Sequence, residues 1–444
     1  MAAVHRGRIV WEQGFGWANR EAGLRATAHT AFSLASISKT FTTTTLAMLA
    51  QEGRLSLDEP ANRYLGDLSL RGIAADAATV RQLGAHAAGL PALFEMFPVT
   101  GAERAPGIET LLHAYGTLAF PPGKLYEYSN IGYAALGAIA TRLTGLEIGT
   151  LITQRLLVPL GLRDSFFDSD RSALVRAAAR YDELERPIPY YTTATPASGE
   201  VYSSAHDLAL FALFNLKRRS DTHRPLLSER WIDELHAPAL QGPAAGATTF
   251  GWFSGRAQSG LPVLFKDGGQ PGVSTIMYLV PSEQLACLVL ANRSDNGELT
   301  QALVDQMLAA VLPGWSTPDT AMNAAKSAFS GQPPYVGRWS GRLSGGGADA
   351  KLELDISGGM GATLAIDSNP PQKIVDLQLK GPALIGSMAG LIPTRDAQRS
   401  GANELNLELL PYNGLLVGRI LANASSPGML ATIPVTLSLS RSQA

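Results

Sequence analysis

Ser36-Ile37-Ser38-Lys39 sets a hydroxyl and an amine three residues apart, the spacing that brings two side chains to one face of a helix. A serine hydroxyl is a poor nucleophile at neutral pH and needs a base, a task that a desolvated lysine of lowered pKa can perform or share. The residues after Lys39 are small or apolar: Thr40-Phe41, the threonines Thr42 to Thr45, then Leu46-Ala47-Met48-Leu49-Ala50, with a stop at Gly53. The pattern predicts one buried helix with Ser36 at its N-terminal mouth, where unpaired backbone N–H groups favour developing negative charge. Of eight lysines only Lys39 has a serine three places before it. Taken alone, the pair reads more simply as a capping serine followed by a lysine that reaches for water. Partners elsewhere in the chain have to decide between the two readings.

Two further groups stand in order after it. Phe120-Pro121-Pro122-Gly123 marks a loop, and Tyr128-Ser129-Asn130 comes next on that loop; Tyr128 is the only one of twelve tyrosines with an asparagine two places on. Lys266-Asp267-Gly268 lies on a predicted strand and runs into Gly269-Gln270-Pro271-Gly272. A tyrosine is a base at pH 7 only if its anion is stabilised, and two lysines nearby would do that. With these three groups in this order, the sequence resembles the serine β-lactamase and penicillin-binding superfamily, most closely its class C-like branch of carboxylesterases and D-aminopeptidases.

The resemblance runs from about residue 3 to 312 and implies roles position by position. Ser36 would be the acylated nucleophile, Lys39 and Tyr128 would share the proton transfers, and Lys266 would add positive potential near Tyr128 and the leaving group. Asn130 would hold the acyl-side amide or carbonyl of the substrate, with Asp267 and Gly268 beside it. The backbone N–H groups of Ser36 and Gly269 would form the oxyanion hole, where losing one donor costs about 3 kcal/mol. The implied activity is serine hydrolysis of small esters or amides, without metal or cofactor. A D-amino-acid peptidase or amidase and a β-lactamase are the alternatives within the superfamily, and a non-catalytic receptor or scaffold is the alternative outside catalysis. Asp267 stands where penicillin-recognising members carry a small hydroxyl residue, and an anion directed at the site would repel a substrate carboxylate. That lowers β-lactams below neutral esters, amides and peptides.

The elements that must position these residues give an α+β fold: an antiparallel sheet flanked by helices with an inserted helical region, plus a small all-β C-terminal domain. A hairpin turning at Arg6-Gly7 starts almost at residue 1, and a helical region runs to about residue 240. Short strands begin at about 249, and a helix over Leu299 to Leu312 closes a hydrolase domain of residues 1–313. Residues 314–334, rich in Pro, Ser, Ala and Gly, read as a linker. Residues 335–444 carry alternating strands at Lys351–Ile356, Ala362–Ile366, Ile374–Leu379, Glu404–Leu409, Leu415–Leu421 and Val435–Leu439, as in a lipocalin-like barrel or a sandwich. This accessory domain is a candidate for oligomerisation or for gating the site.

Composition removes other classes. A net charge of −2 without a basic run excludes a nucleic-acid tracking surface, and 45% hydrophobic with 17% charged residues describes an ordinary globular chain. No apolar run has membrane-spanning length and no signal peptide precedes the first strand, so the chain as written reads as cytoplasmic. Family members usually begin with a helix before that strand; a longer natural chain would make it periplasmic or secreted. The lone Cys287 lies in an apolar run and reads as a buried strand residue. His86 reads as a hydrogen-bonded loop residue, and His206-Asp207 as the start of a helix capped by Ser204 rather than a catalytic dyad.

Overall fold

A computed structural model describes residues 1–442 except 102, 218–225, 243–245, 319–321, 323 and 359–360, so part of the expected linker lies outside the described residues. Its contacts divide into two compact units that do not run in chain order. The first comprises Met1–Glu59, Phe97–Arg104 and Leu136–Met322, the second Pro60–Met96, Ala105–Ala135 and Asn323–Ala444.

The first unit is organised by an eight-stranded antiparallel sheet. In spatial order its strands are Leu240–Gln241, Ala247–Thr248, Phe253–Arg256, Pro262–Gln270, Val273–Val280, Leu285–Ala291, Ala2–His5 and Arg8–Glu12. The chain's first hairpin therefore completes a sheet whose other strands lie beyond residue 239, with Ala3 opposite Cys287. All eight residues of Val273–Val280 are buried, as expected of a strand covered on both faces. Alternation separates those faces. Val263, Phe265, Ile276, Tyr278 and Cys287 pack with Val304 and Leu308 of the helix Gly297–Ala309, whereas Thr275 turns to the opposite face and bonds to Leu34. Cys287 is fully buried in its strand.

The second unit closes into an all-β barrel. Strands Gly337–Ser344, Lys351–Ile356, Ala362–Ile366, Gln372–Lys380, Ala383–Ala389, Glu404–Tyr412, Leu415–Ser426 and Met429–Arg441 pair in sequence, and Gly337–Ser344 also pairs with Met429–Arg441 to complete the ring. Closure leaves no long edge to template aggregation. The stretch expected as a linker contributes a strand of its own, Lys326–Ala328, on Gln372–Lys380. The barrel shares its packing with segments far earlier in the chain: Ala119 and Phe120 join Leu410 and Val417 in one core, and Phe94 bridges to Thr432. Among the described residues no single helix is long and apolar enough to cross a membrane.

Candidate active site

The helix Ser38–Gln51 accounts for its unusual sequence. Thirteen of its fourteen residues are buried, although the first eight are all serine, lysine or threonine apart from Phe41. Each threonine hydroxyl finds a carbonyl: Thr40 donates to Ile37 O, Thr43 to Lys39 O, Thr44 to Thr40 O and Thr45 to Phe41 O, while Thr42 donates to Ala197 O at 2.7 Å. These hydroxyls are thus buried without unmet hydrogen bonds, and Phe41 stacks on Phe211 at 4.1 Å to fix the helix from the side.

Ser36 sits just before this helix, in the 3-10 turn Ala35–Ile37. Ala35 holds φ at +45°, a left-handed conformation that costs a non-glycine residue about 1–2 kcal/mol and persists only where the surroundings over-determine it. They do so here. Leu34 N–H donates to Val201 O at 2.9 Å, Val201 N–H donates to Ser38 Oγ at 3.0 Å, and Thr275 Oγ1 donates to Leu34 O at 3.0 Å. The turn presents Ser36 partly buried, beside a fully buried neighbour.

That neighbour is Lys39. Its Nζ lies 3.1 Å from Ser36 Oγ and donates to Ser198 O at 2.9 Å, and its side chain is fully buried. Burial, reinforced by the Lys266 ammonium and opposed by a smaller pull from Asp267, holds the Lys39 amine well below the ordinary lysine value. In the neutral form one N–H is already committed to Ser198, which leaves the lone pair for the serine proton. Lys266, also buried, lies with its Nζ 4.2 Å from the centre of the Phe253 ring; burial lowers it to about 8 against the opposing charge of Asp267.

The strand Pro262–Gln270 pairs with Phe253–Arg256 only as far as Phe265, so among the described residues its last five have a strand partner on one side alone. Along it Lys266 and Gly268 turn toward the Ser36 side of the sheet, and Asp267 turns to the face of Phe265 and Tyr278. Gly268 is a spacer: a Cβ there would lie 2.2 Å from Leu34 O and 3.1 Å from Ser36 N. Gly269 is open, with nothing within 4 Å of an added Cβ. Asp267 is exposed; its charge reaches the site by raising the pKa of both lysines rather than by pointing a carboxylate along Lys266.

Tyr128 and Asn130 belong to the second unit. Asn130 is the first residue of the helix Asn130–Thr144 rather than a loop residue. Its Nδ2 donates to Leu93 O at 2.8 Å, and among the described residues its buried Oδ1 has no hydrogen-bond partner. Tyr128 stacks on His86 at 4.2 Å between ring centres. His86, left-handed at φ +57°, accepts from Ser129 N–H through Nδ1 at 3.1 Å, and its backbone carbonyl accepts from Glu127 N–H at 2.9 Å. It is the hydrogen-bonded loop residue that the sequence suggests, and its stacking on Tyr128 is an addition that no sequence pattern signals.

Glu127, the residue directly before Tyr128, is held by a cluster that sequence reasoning misses. Arg419 of the barrel donates to both of its carboxylate oxygens, at 2.6 and 3.1 Å, and to Glu408 Oε2 at 2.6 Å, with Lys380 2.5 Å from the other Glu408 oxygen. Arg399 pairs likewise with Glu95, two residues from the carbonyl that holds Asn130. Nothing local in the sequence ties residue 127 to residue 419.

Comparisons with known proteins bear on the family and the fold. The model of the family described as Beta-lactamase matches residues 1–312. "Protein flp" of Staphylococcus aureus strain MRSA252 is 24% identical over 335 residues, which span 74% of this chain and 66% of that relative. A structure of the octameric penicillin-binding protein homologue from Pyrococcus abyssi is similar over 98% of this chain and 94% of its own, with 21% identity and a TM-score of 0.60. A crystal structure of SurE with D-Leu is similar over 97% and 94%, with 19% identity and a TM-score of 0.65. At these identities the two structures speak to the fold alone.

Proposed function

Since the chain belongs to the beta-lactamase family, whose members support a serine hydrolase-type function, we propose that it hydrolyses small esters or amides through an acyl-enzyme on Ser36. The observation that carries this reading is the buried Lys39 amine 3.1 Å from Ser36 Oγ, with its pKa lowered. Ser36 Oγ attacks the carbonyl carbon as its proton passes to Lys39; the carbonyl electrons become an oxyanion, then return to expel the leaving group, which takes up a proton. Water repeats the sequence on the acyl-serine and releases the acid. Backbone N–H groups of Ser36 and Gly269 take the role of oxyanion donors. Tyr128 shares the proton transfers, and Asn130 holds the acyl-side amide or carbonyl of the substrate.

Two observations rank the substrates. The exposed Asp267 adds negative charge beside the strand, which disfavours carboxylate-bearing β-lactams relative to neutral esters and amides. The SurE structure, similar in fold, was solved with D-Leu, which makes amides of D-amino acids the second substrate class to test.

Intact-protein mass after exposure to a fluorophosphonate, a p-nitrophenyl ester, a D-alanyl anilide and a chromogenic cephalosporin tests the scheme. The expected result is a single adduct lost in Ser36→Ala, with ester or anilide turned over faster than cephalosporin. An unlabelled parent protein would return the chain to the receptor reading, and Ser36→Ala with undiminished esterase rate would remove Ser36 as the nucleophile.

A further inference from the structure

Away from Ser36, three side chains that the hydrolytic scheme does not use converge in the first unit. Glu12 ends the edge strand Arg8–Glu12, His29 sits in the turn Thr27 to Thr30, and His206 is the second residue of the helix Ala205–Asn215. One potential ligand atom from each lies within 4.8 Å of the other two. We propose that Glu12, His29 and His206 form a binding site for a divalent transition-metal ion of the zinc type.

The ligand chemistry fits such an ion. Two imidazoles and one carboxylate make a mixed nitrogen and oxygen set that suits zinc, and a water would complete four-coordination. His206 Nδ1 lies 2.9 Å from Glu12 Oε2. Ligands of one tetrahedral zinc, bonded at about 2.0–2.2 Å, stand roughly 3.3–3.5 Å apart. This pair is therefore nearly at the spacing that an ion between them requires, and the 4.8 Å limit needs a contraction of little more than about an ångström. The side chains have room to move, since His29 is 59% exposed and His206 32%.

A second layer orients the ligands. Asp164 Oδ2 lies 2.8 Å from His29 Nδ1, which leaves Nε2 for the metal, the carboxylate–histidine–metal arrangement that fixes a ligand's tautomer. Asp164 in turn accepts from Ser204 Oγ, the cap of the helix that carries His206, and its backbone N–H donates to Asp207 Oδ2. The His206 N–H donates to Ala28 O at 3.1 Å, so the turn bearing His29 is tied to the helix bearing His206. The two rings approach to 4.8 Å between centres. Protonated, they would repel each other; a shared cation needs both neutral and uses the negative potential of Glu12, Asp164 and Asp207 that surrounds His29. The ion would clip the edge strand and the turn to the helix, which makes it a structural site, independent of Ser36.

The test is calorimetric titration of the chelator-treated full chain with zinc chloride at about pH 7.5, then thermal melts. One zinc per chain and a higher Tm with zinc are expected, together with a visible d–d absorption band when cobalt(II) replaces zinc. His29→Ala and Glu12→Gln should each weaken binding by about tenfold or more and abolish the zinc-dependent rise in Tm. Both positions are accessible enough that the variants should melt like the parent in chelator, and Ser36→Ala should bind zinc as the parent does. Absence of saturable binding, or equal affinity in the parent and both ligand variants, would overturn the proposal.

Discussion

Replacing Arg419 by methionine tests how firmly the barrel fixes the segment that carries Tyr128. Arg419 is the hub of a buried cluster: it grips Glu127 with two hydrogen bonds and Glu408 with a third, and the two carboxylates are each 4% exposed. In Arg419→Met a side chain of similar length fills the space, but two buried carboxylates are left to share Lys380. Removing one partner of a buried pair costs about 3–5 kcal/mol because the other charge stays behind, uncompensated. The cost should depend on pH with a definite sign. Burial already raises the Glu127 carboxyl, with Arg419 acting against that rise, so the substitution raises it further. A carboxyl whose folded pKa exceeds its unfolded value stabilises the fold below the unfolded pKa, near about 4.3, and loses that contribution as pH rises through the folded value. The variant should therefore unfold at markedly lower urea concentration than the parent at about pH 8 and approach it at about pH 5. Arg419→Lys, which keeps the charge and loses the fork, should fall between. Because Glu127 precedes Tyr128 directly, kcat for the ester should fall about tenfold or more in Arg419→Met under conditions where it is still folded. Equal unfolding midpoints under the alkaline condition, or the same deficit under both, would refute the reasoning.

Lys266→Met should stabilise the protein while it damages catalysis. A fall from 10.5 to about 8 corresponds to roughly 3 kcal/mol of penalty on the buried ammonium. A depressed folded pKa means stability that is lost as pH falls through about 8 and present above the unfolded pKa, so the gain in Tm should be largest at about pH 7 and vanish near 10.5; a loss of Tm at neutral pH would contradict it. Gly268→Ala, whose Cβ would meet Leu34 O at 2.2 Å, should cost about 1–3 kcal/mol and slow acylation, whereas Gly269→Ala, with open space around it, should leave the melting curve unchanged. Comparable melting of the two glycine variants would show that the Ser36 turn yields where the packing says it cannot.

The range of an interaction decides whether the sequence discloses it. Ser36 and Lys39 are legible because three residues of helix set their distance, and the barrel strand Lys351–Ile356 because a buried face alternates with an exposed one. The strand Ala383–Ala389 is not legible: Gly386 and Ser387 interrupt its apolar alternation, and it is defined by its neighbours on both sides. Lys326–Ala328 is wholly exposed and carries no pattern to read. Asp267 shows a middle case. Its type suggests repulsion at the site, and strict alternation from Phe265 places it on the other face of the strand from Lys266, so its charge acts there through space and not through a carboxylate directed into the site. Arg419 and Glu127, 292 residues apart, lie beyond any local rule. A buried arginine on a barrel strand opposite Glu408 signals only that some carboxylate must come to meet it, and the fold supplies the one beside Tyr128. The barrel is thereby a means of holding that segment in place as well as a domain in its own right.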